Sequence, residues 1–278
     1  MFYDKFKIME FGLPFIFFLI FFFGLIIGSF INVLIYRLPR DLSLNGRSYC
    51  PKCKKKISWY DNIPLVSFLL LKGKCRKCHS PISLQYPLVE LLTGVLFVTS
   101  FFLLINSNSE FRIQNSELGF WITLLYTFWI VSAFLAIFII DLKHQIIPDQ
   151  ILYSSLFVVS FYEFIIHHSS FTIHLISAVA GFIFFYFLYK ITKGKGMGFG
   201  DVKLVFLMGL VLGYPNIILA LYLAFLTGAT AGVILILARL KKLKQPIAFG
   251  PFLSLATIVS YFLGTEIIKW FTAQFFLI

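Results

Sequence analysis

The stretch "FGLPFIFFLIFFFGLIIGSFINVLIYRLPR", residues 11–40, carries no charged residue until Arg37. About 20 apolar residues in helical conformation cross the ~30 Å hydrocarbon core of a bilayer, so residues 11–36 form a complete span. Lys5 and Lys7 precede the run in the manner of a secretory leader, but the run is too long and no small-residue cleavage site follows. The 11 basic residues between Arg37 and Lys77 outweigh those two. A retained anchor is expected.

The rest of the chain agrees. Its 278 residues are 59% hydrophobic and 13% charged, with 36 phenylalanines and a mean hydropathy of +0.91. A soluble domain of this size could not bury so much apolar surface, which a bilayer solvates instead. The reading is an all-α polytopic membrane protein of about eight transmembrane helices. The expected spans are 11–36, 85–105, 118–140, 150–168, 171–190, 202–214, 216–238 and 250–276. Glu163 lies inside the fourth, tucked against a neighbouring helix or near the outer interface. The linker 106–117 is a polar outer loop, and no internal repeat is visible.

Basic residues set the orientation. Of 24 Lys and Arg, 20 fall on the side that receives 37–84, 141–149, 191–203 and 239–249 together with Lys190. Only Lys5, Lys7, Arg112 and Lys269 remain for the other side. The rich side is cytoplasmic by the positive-inside rule, and both termini lie outside. The net charge of +12 is then mostly topology, with attraction to anionic lipid; no nucleic-acid partner is expected.

The one sizeable segment outside the spans, 37–84, holds all four cysteines, as "CPKC" (Cys50, Cys53) and "CRKC" (Cys75, Cys78) with 21 residues between the pairs. Two such knuckles complete a four-sulfur tetrahedral metal site. A loop this short has little core of its own, so a zinc staple makes physical sense. The flanking Lys52, Lys54, Lys55, Lys56, Lys74, Arg76 and Lys77 favour thiolate. Disulfides do not suit a reducing compartment, and a redox site needs only one pair. A closed four-cysteine site leaves no open position for substrate, so the zinc is structural. His79, beside Cys78, is an alternative ligand, although a solvated histidine is the preferred reading.

Two acids fall at one depth. The third span ends at "FIIDLKHQIIPD", where Asp141 is the last membrane-level residue; the sixth begins after "GKGMGFGD", which ends in Asp201. Acids at membrane depth are costly and usually functional. Two close carboxylates divide into one ionised and one protonated, the acid/base split of an aspartic protease. Gly198 and Gly200, lacking Cβ atoms, let backbone beside Asp201 approach an extended peptide, while Gly194 and Gly196 let the loop admit it. On spacing alone, a plain flexible loop with Asp201 capping a helix stands equally well. Asp149 rivals Asp141, although its place after Pro148 suits a helix cap.

These pieces together resemble the type IV prepilin peptidases, bifunctional leader peptidases and N-methyltransferases of the GxGD aspartic protease class. The matching segments are "GSFINVLIYRLPR", "RSYCPKCKKKISWYDNIPLVSFLLLKGKCRKC", "ISLQYPLVELLTG", "IDLKHQIIPD", "GMGFGDVKL" and "FGPFLSL", in the family's order across residues 28–255. The resemblance implies an enzyme of the bacterial inner membrane that removes the basic leader of prepilins and pseudopilins at the cytoplasmic face. It also implies N-methylation of the new N-terminus using S-adenosylmethionine. Asp141 and Asp201 map onto the catalytic pair, Gly198 and Gly200 onto the loop that supports it, and Asp149 onto a non-catalytic position. The implied organisation is a first anchor (1–36), a cytoplasmic four-cysteine zinc loop associated with methyl transfer (37–84), a second span and outer loop (85–117) and a transmembrane protease domain (118–278). Glu90 and Gly94 in "YPLVELLTG" are candidates for holding the methyl donor or the substrate amine, with Glu90 as an interfacial capping residue the other reading. Tyr60, Asp61 and Asn62 in "WYDNIP" are similar candidates. Competing functions are an intramembrane protease with other substrates, a proton-coupled transporter using Asp141 and Asp201 as a relay, and a zinc-bearing scaffold. The cysteine loop argues against the first, and the acids' place at one edge rather than mid-membrane against the second. The paired acids remain unexplained by the third.

Overall fold

A computed structural model describes residues 12–106, 117–166, 170–194, 196–239 and 248–276. Lys5, Lys7, Arg112, Lys195, most of the 106–117 linker and residues 240–247 of the last basic loop lie outside the described residues. Among the described residues every regular element is a helix; the only strand-like pairings are isolated bridges at Tyr49–Lys56 and Lys74–Pro81. Among the described residues, seven helices are long and apolar enough to cross a membrane. The chain divides into two units, Met1–Arg112 and Ile113–Ile278.

In the first unit, α1 (Gly12–Arg37) packs along α3 (Gln85–Asn106), and the loop between them carries the short α2 (Val66–Leu70). Small residues set the crossing. A Cβ on Gly24 would lie 2.7 Å from the Cα of Gly94, and one on Gly28 would lie 2.6 Å from the Cα of Glu90. Lipid tails are as apolar as leucine, so spanning helices associate through such close backbone contact rather than through a hydrophobic drive. Phe97 and Phe101 of α3 are buried beside it. The loop leaves α1 around one cation: the buried Arg37 guanidinium donates to the carbonyl oxygens of Ser43, Leu44, Asn45, Gly46 and Arg47. A desolvated guanidinium demands acceptors for its fan of N–H groups, and this one collects a whole turn of chain.

The second unit contains α4 (Glu117–His144), α5 (Asp149–Ile166), α6 (Phe171–Ile191), α7 (Phe199–Leu212), α8 (Asn216–Leu237) and α9 (Gly250–Phe276). The expected sixth span, 202–214, corresponds to α7, which has only 14 residues and is not among the seven helices long enough to cross. Its ~21 Å falls short of the ~30 Å core. The physical reason lies in its surroundings: α7 packs on α5, α6, α8 and α9, and from Asp201 to Leu212 only Lys203 and Phe206 escape burial. Protein, not lipid, covers this helix, so it need not match the bilayer.

Glycine makes that enclosure possible. Gly209 of α7 lies so close to the backbone of Ala178 and Ser177 in α6 that no Cβ fits, and a Cβ on Gly181 would meet Val205 at 2.9 Å. Toward the far end of α7, His174 of α6 is hydrogen-bonded through Nδ1 to the Leu210 carbonyl (2.8 Å) and lies 3.5 Å from the buried Glu163 carboxylate of α5. Glu163 is thus tucked against a neighbouring helix, as expected.

The Gly209 contact yields a stability test. Gly209→Leu places a side chain against fixed backbone, which rotamer changes cannot relieve, and overpacking of this kind costs about 1–3 kcal/mol or more. Thermal unfolding of the detergent-solubilised protein is expected at a clearly lower Tm for Gly209→Leu, with Gly209→Ala between it and the native chain.

Candidate active site and metal centre

Asp141 occupies the last turn of α4, which stops where Gln145 turns left-handed (φ 55°) and its N–H closes on the Asp141 carbonyl at 2.9 Å. Asp201 sits in the first turn of α7. It is not the cap residue: Gly198 is, and the Gly198 N–H donates to Asp201 Oδ2 at 3.2 Å. The carboxylate therefore serves one of the free N–H groups that every helix start exposes, with its other oxygen left over. Both acids are buried, at 5% and 8% exposure.

Two glycines and one isoleucine hold this arrangement together. The Gly250 N–H, at the start of α9, donates to the Asp141 carboxyl. A Cβ on Gly250 would stand 2.5 Å from Asp141 Oδ2 and 3.3 Å from Ile147 Cδ1. A Cβ on Gly200 would meet the same Ile147 side chain at 3.3 Å. Ile147, in the α4–α5 turn, is thus an apolar wedge between the backbones beside the two acids. The role of Gly250 did not emerge from the sequence reading; its signal was the Gly-Pro pair opening a helix in "FGPF", which marks an N-terminus with free N–H groups. Asp149 stands apart, half-exposed and ion-paired at 2.8 Å with Lys203 of α7. That pair ties the start of α5 to α7 rather than adding a third acid to the site.

In the first unit the two cysteine pairs form copies of one turn. Lys54 N–H donates to the Cys50 carbonyl and Cys50 N–H to Lys55; His79 N–H donates to the Cys75 carbonyl and Cys75 N–H to Ser80. Lys54 and His79 occupy equivalent positions with φ near 59° and 55°. His79 is therefore a turn residue, and the cluster consists of Cys50, Cys53, Cys75 and Cys78. The cysteines are free of disulfides, and the four sulfurs lie within 4.8 Å of one another, with Cys50 and Cys78 at 3.8 Å. Four sulfurs at ~2.3 Å from a tetrahedral zinc stand ~3.8 Å apart, so the cluster is compatible with that ion. Its electrostatics agree. The Cys53 N–H, then the Lys52 N–H and Ser80 hydroxyl, pull the Cys50 thiol down to about 6 against its burial. Cys53, although it accepts the Lys55 N–H, is pushed up to about 11 by burial and by the Cys50 and Cys78 sulfurs. Crowded sulfurs resist becoming thiolates together unless a cation sits among them.

Beside the knuckles lies a cavity of about 460 Å³. Ser29 and Asn32 of α1, Tyr86 and Glu90 of α3, and Leu65 and Asn62 of the loop are among its lining residues. The buried Glu90 accepts the Leu65 N–H at 2.9 Å, where Leu65 holds a left-handed φ of 58° at the start of α2. This matches the interfacial-capping alternative while leaving Glu90 on the cavity wall. Gly94, one turn on, is absent from that wall and lies in the α1–α3 crossing against Phe21 and Gly24. Asp61 is engaged by Arg76 through three contacts of 2.6–3.0 Å, a bidentate clamp between one knuckle and the "WYDN" turn.

Comparison with known proteins gives a consistent picture. Residues 22–104 match the Bacterial Peptidase A24 N-terminal domain, and residues 128–233 match the Type IV leader peptidase family. The chain is 36% identical over 296 residues to the prepilin leader peptidase/N-methyltransferase of Aeromonas hydrophila, covering 95% of this chain and 97% of that protein. It is 33% identical over 280 residues to the one of Pseudomonas aeruginosa, covering 88% and 90%. With the one of Bacillus subtilis it shares 32% over 254 residues, covering 91% and 96%. No solved structure matches the chain.

The sulfur geometry predicts about one zinc ion per chain by elemental analysis of the purified full-length protein. Cys75→Ser, or prolonged chelation, is expected to remove most of that zinc and lower the Tm. A native chain without bound zinc would overturn this assignment.

Proposed function

The chain belongs to the type IV leader peptidase family, and we propose that Asp141 and Asp201 are its catalytic carboxylates, cleaving the leader from type IV prepilins and pseudopilins. The observation that carries this reading is the burial of both acids around one side chain, Ile147, which packs against Gly250 beside Asp141 and against Gly200 beside Asp201. Each carboxylate is oriented by one backbone N–H, from Gly250 and Gly198 respectively. Two carboxylates so placed in a poorly hydrated site share a single proton rather than both ionising.

Hydrolysis then follows from the pair. The ionised carboxylate takes a proton from water as the water oxygen bonds to the scissile carbonyl carbon, while the protonated partner gives its proton to the carbonyl oxygen. The tetrahedral diol collapses when the carboxylate reclaims a hydroxyl proton and the first acid protonates the departing nitrogen. The C–N bond breaks, leaving a new carboxylic acid and a free amine, with the dyad restored to one proton. Gly198 and Gly200 support this chemistry by presenting a side-chain-free edge next to Asp201. Orientation by fixed N–H donors lowers the reorganisation that this charge movement requires.

The second activity is N-methylation of the freed N-terminus, with S-adenosylmethionine as the donor of an electrophilic methyl group. The cavity of the first unit, with Glu90 on its wall, is the proposed site; Gly94 contributes by letting α1 and α3 approach. Zinc in the four-cysteine cluster is structural, since four sulfur ligands close its coordination shell. The location that suits this family is the bacterial inner membrane, and the distribution of basic residues supports a cytoplasmic position for the cysteine loop and both aspartates. The membrane partner is lipid with anionic headgroups, and no nucleic acid is bound.

Substitutions separate the roles. Asp141→Asn and Asp201→Asn are each expected to lower prepilin cleavage at least ~100-fold, read by mass spectrometry of the substrate in reconstituted vesicles. Asp149→Asn, which breaks a half-exposed ion pair of small worth, is expected to stay within a few-fold of the native rate. Gly250→Ala inserts a methyl group against the Asp141 carboxylate and is expected to lower turnover at least ~10-fold in a folded protein. Native turnover by either asparagine variant would overturn the assignment.

A further inference from the structure

The polar groups on the wall of the first unit's cavity are unevenly matched. Asn32 is 2% exposed; its Nδ2 donates to the Tyr86 carbonyl at 3.0 Å, yet its Oδ1 receives no hydrogen bond. Glu90 is 7% exposed and takes the Leu65 N–H on Oε2, with the Ser29 hydroxyl beside it. Gly28 brings these groups together, because the absence of its side chain lets α1 sit on the Glu90 Cα, one helical turn from Asn32. Asn32 and Glu90 both line the cavity, so the wall between α1 and α3 offers a carboxylate, with an unmatched amide oxygen enclosed one helical turn along.

The cations around the cavity do not neutralise this wall. Arg37 spends its donors on the carbonyls of residues 43–47, and Arg76 is clamped to Asp61. Lys52, Lys55, Lys56 and Lys77 line it from the knuckles, where they suit an anionic part of a ligand. A buried acceptor without a donor costs about 1–3 kcal/mol, and a buried carboxylate calls for positive charge. The group that meets both needs is a primary ammonium, with three N–H donors on one compact charge.

We infer that Glu90 and Asn32 form a binding site for a primary ammonium group. This rests on the reading of the first unit as the methyl-transfer site and deepens it. Two sources offer that chemistry: the N-terminal ammonium of the cleaved substrate and the α-ammonium of the methyl donor.

Glu90→Gln keeps an acceptor for the Leu65 N–H and removes only the charge, so it separates ammonium binding from support of the loop. The test uses full-length protein in detergent. It measures the affinity for S-adenosylhomocysteine and for methylthioadenosine, which lacks the ammonium, and the KM of methyl transfer to a peptide with the mature N-terminus. A loss of about 10- to 100-fold in S-adenosylhomocysteine affinity, with methylthioadenosine unaffected, assigns the donor's ammonium. A similar rise in peptide KM, with S-adenosylhomocysteine affinity kept, assigns the substrate's. Native values of both overturn the inference, as does an equal loss for both nucleosides, which marks Glu90 as merely shaping the pocket. The native protein supplies a check free of folding effects. It must prefer S-adenosylhomocysteine to methylthioadenosine, or a free-amine peptide to its N-acetylated form, and indifference to both distinctions overturns the inference. A native protein that methylates no peptide refutes the underlying reading instead, and the binding comparisons still decide the ammonium site.

Discussion

A carboxylate enclosed by apolar helices must find donors within the protein, because hydrocarbon offers none. In the second unit that demand is met by backbone: Gly250 N–H serves Asp141 and Gly198 N–H serves Asp201. Both donors sit at helix starts, where N–H groups are free of the i→i−4 ladder. Much of the neighbouring architecture follows from this match. α9 begins against the end of α4, where a Cβ at Gly250 would run into the Asp141 carboxylate, and α7 begins beside the α4–α5 turn, where a Cβ at Gly200 would press on Ile147. Ile147 then fills the space between them.

The shortness of α7 is part of the same solution. A helix that starts at a buried acid and is wrapped by four neighbours can stop after 14 residues without exposing its ends to lipid. The wrapping depends on contacts such as Gly209 on Ala178, where backbone meets backbone. The helix is fastened near both ends, by the Lys203–Asp149 ion pair toward the acids and by the His174 hydrogen bond to Leu210 at the other. Such fastening suits a proposed catalytic residue whose chemistry tolerates little displacement.

The first unit solves a different problem, that of ordering a long, basic, core-poor loop between two spans. It does so with three polar anchors rather than a hydrophobic interior. Arg37 gathers one turn of carbonyls, Asp61 holds Arg76, and the four sulfurs draw together two knuckles of identical hydrogen bonding. Metal binding by such a cluster contributes directly to folding. Glu90 adds a fourth tie by holding Leu65, and that tie leaves it on the wall of a cavity.

Composition and local spacing already determined a good deal. An excess of apolar residues can only be accommodated by lipid, so the membrane class and nearly all helix positions were legible from runs such as 11–36 and 216–238. Paired C-x-x-C motifs were enough to assemble the sulfur cluster, because short chain segments bring each pair together unaided. What the sequence could not decide was which groups face one another across helices far apart in the chain, since that depends on helix rotation and on who covers whom. Only the tertiary structure showed that α7 is short and enclosed by protein, that Gly94 serves a helix crossing, that Asp61 is taken by Arg76, and that Gly250 lies against Asp141. Periodicity records how apolar a segment is; burial and hydrogen bonding record its neighbours, and those exist only once the chain has packed.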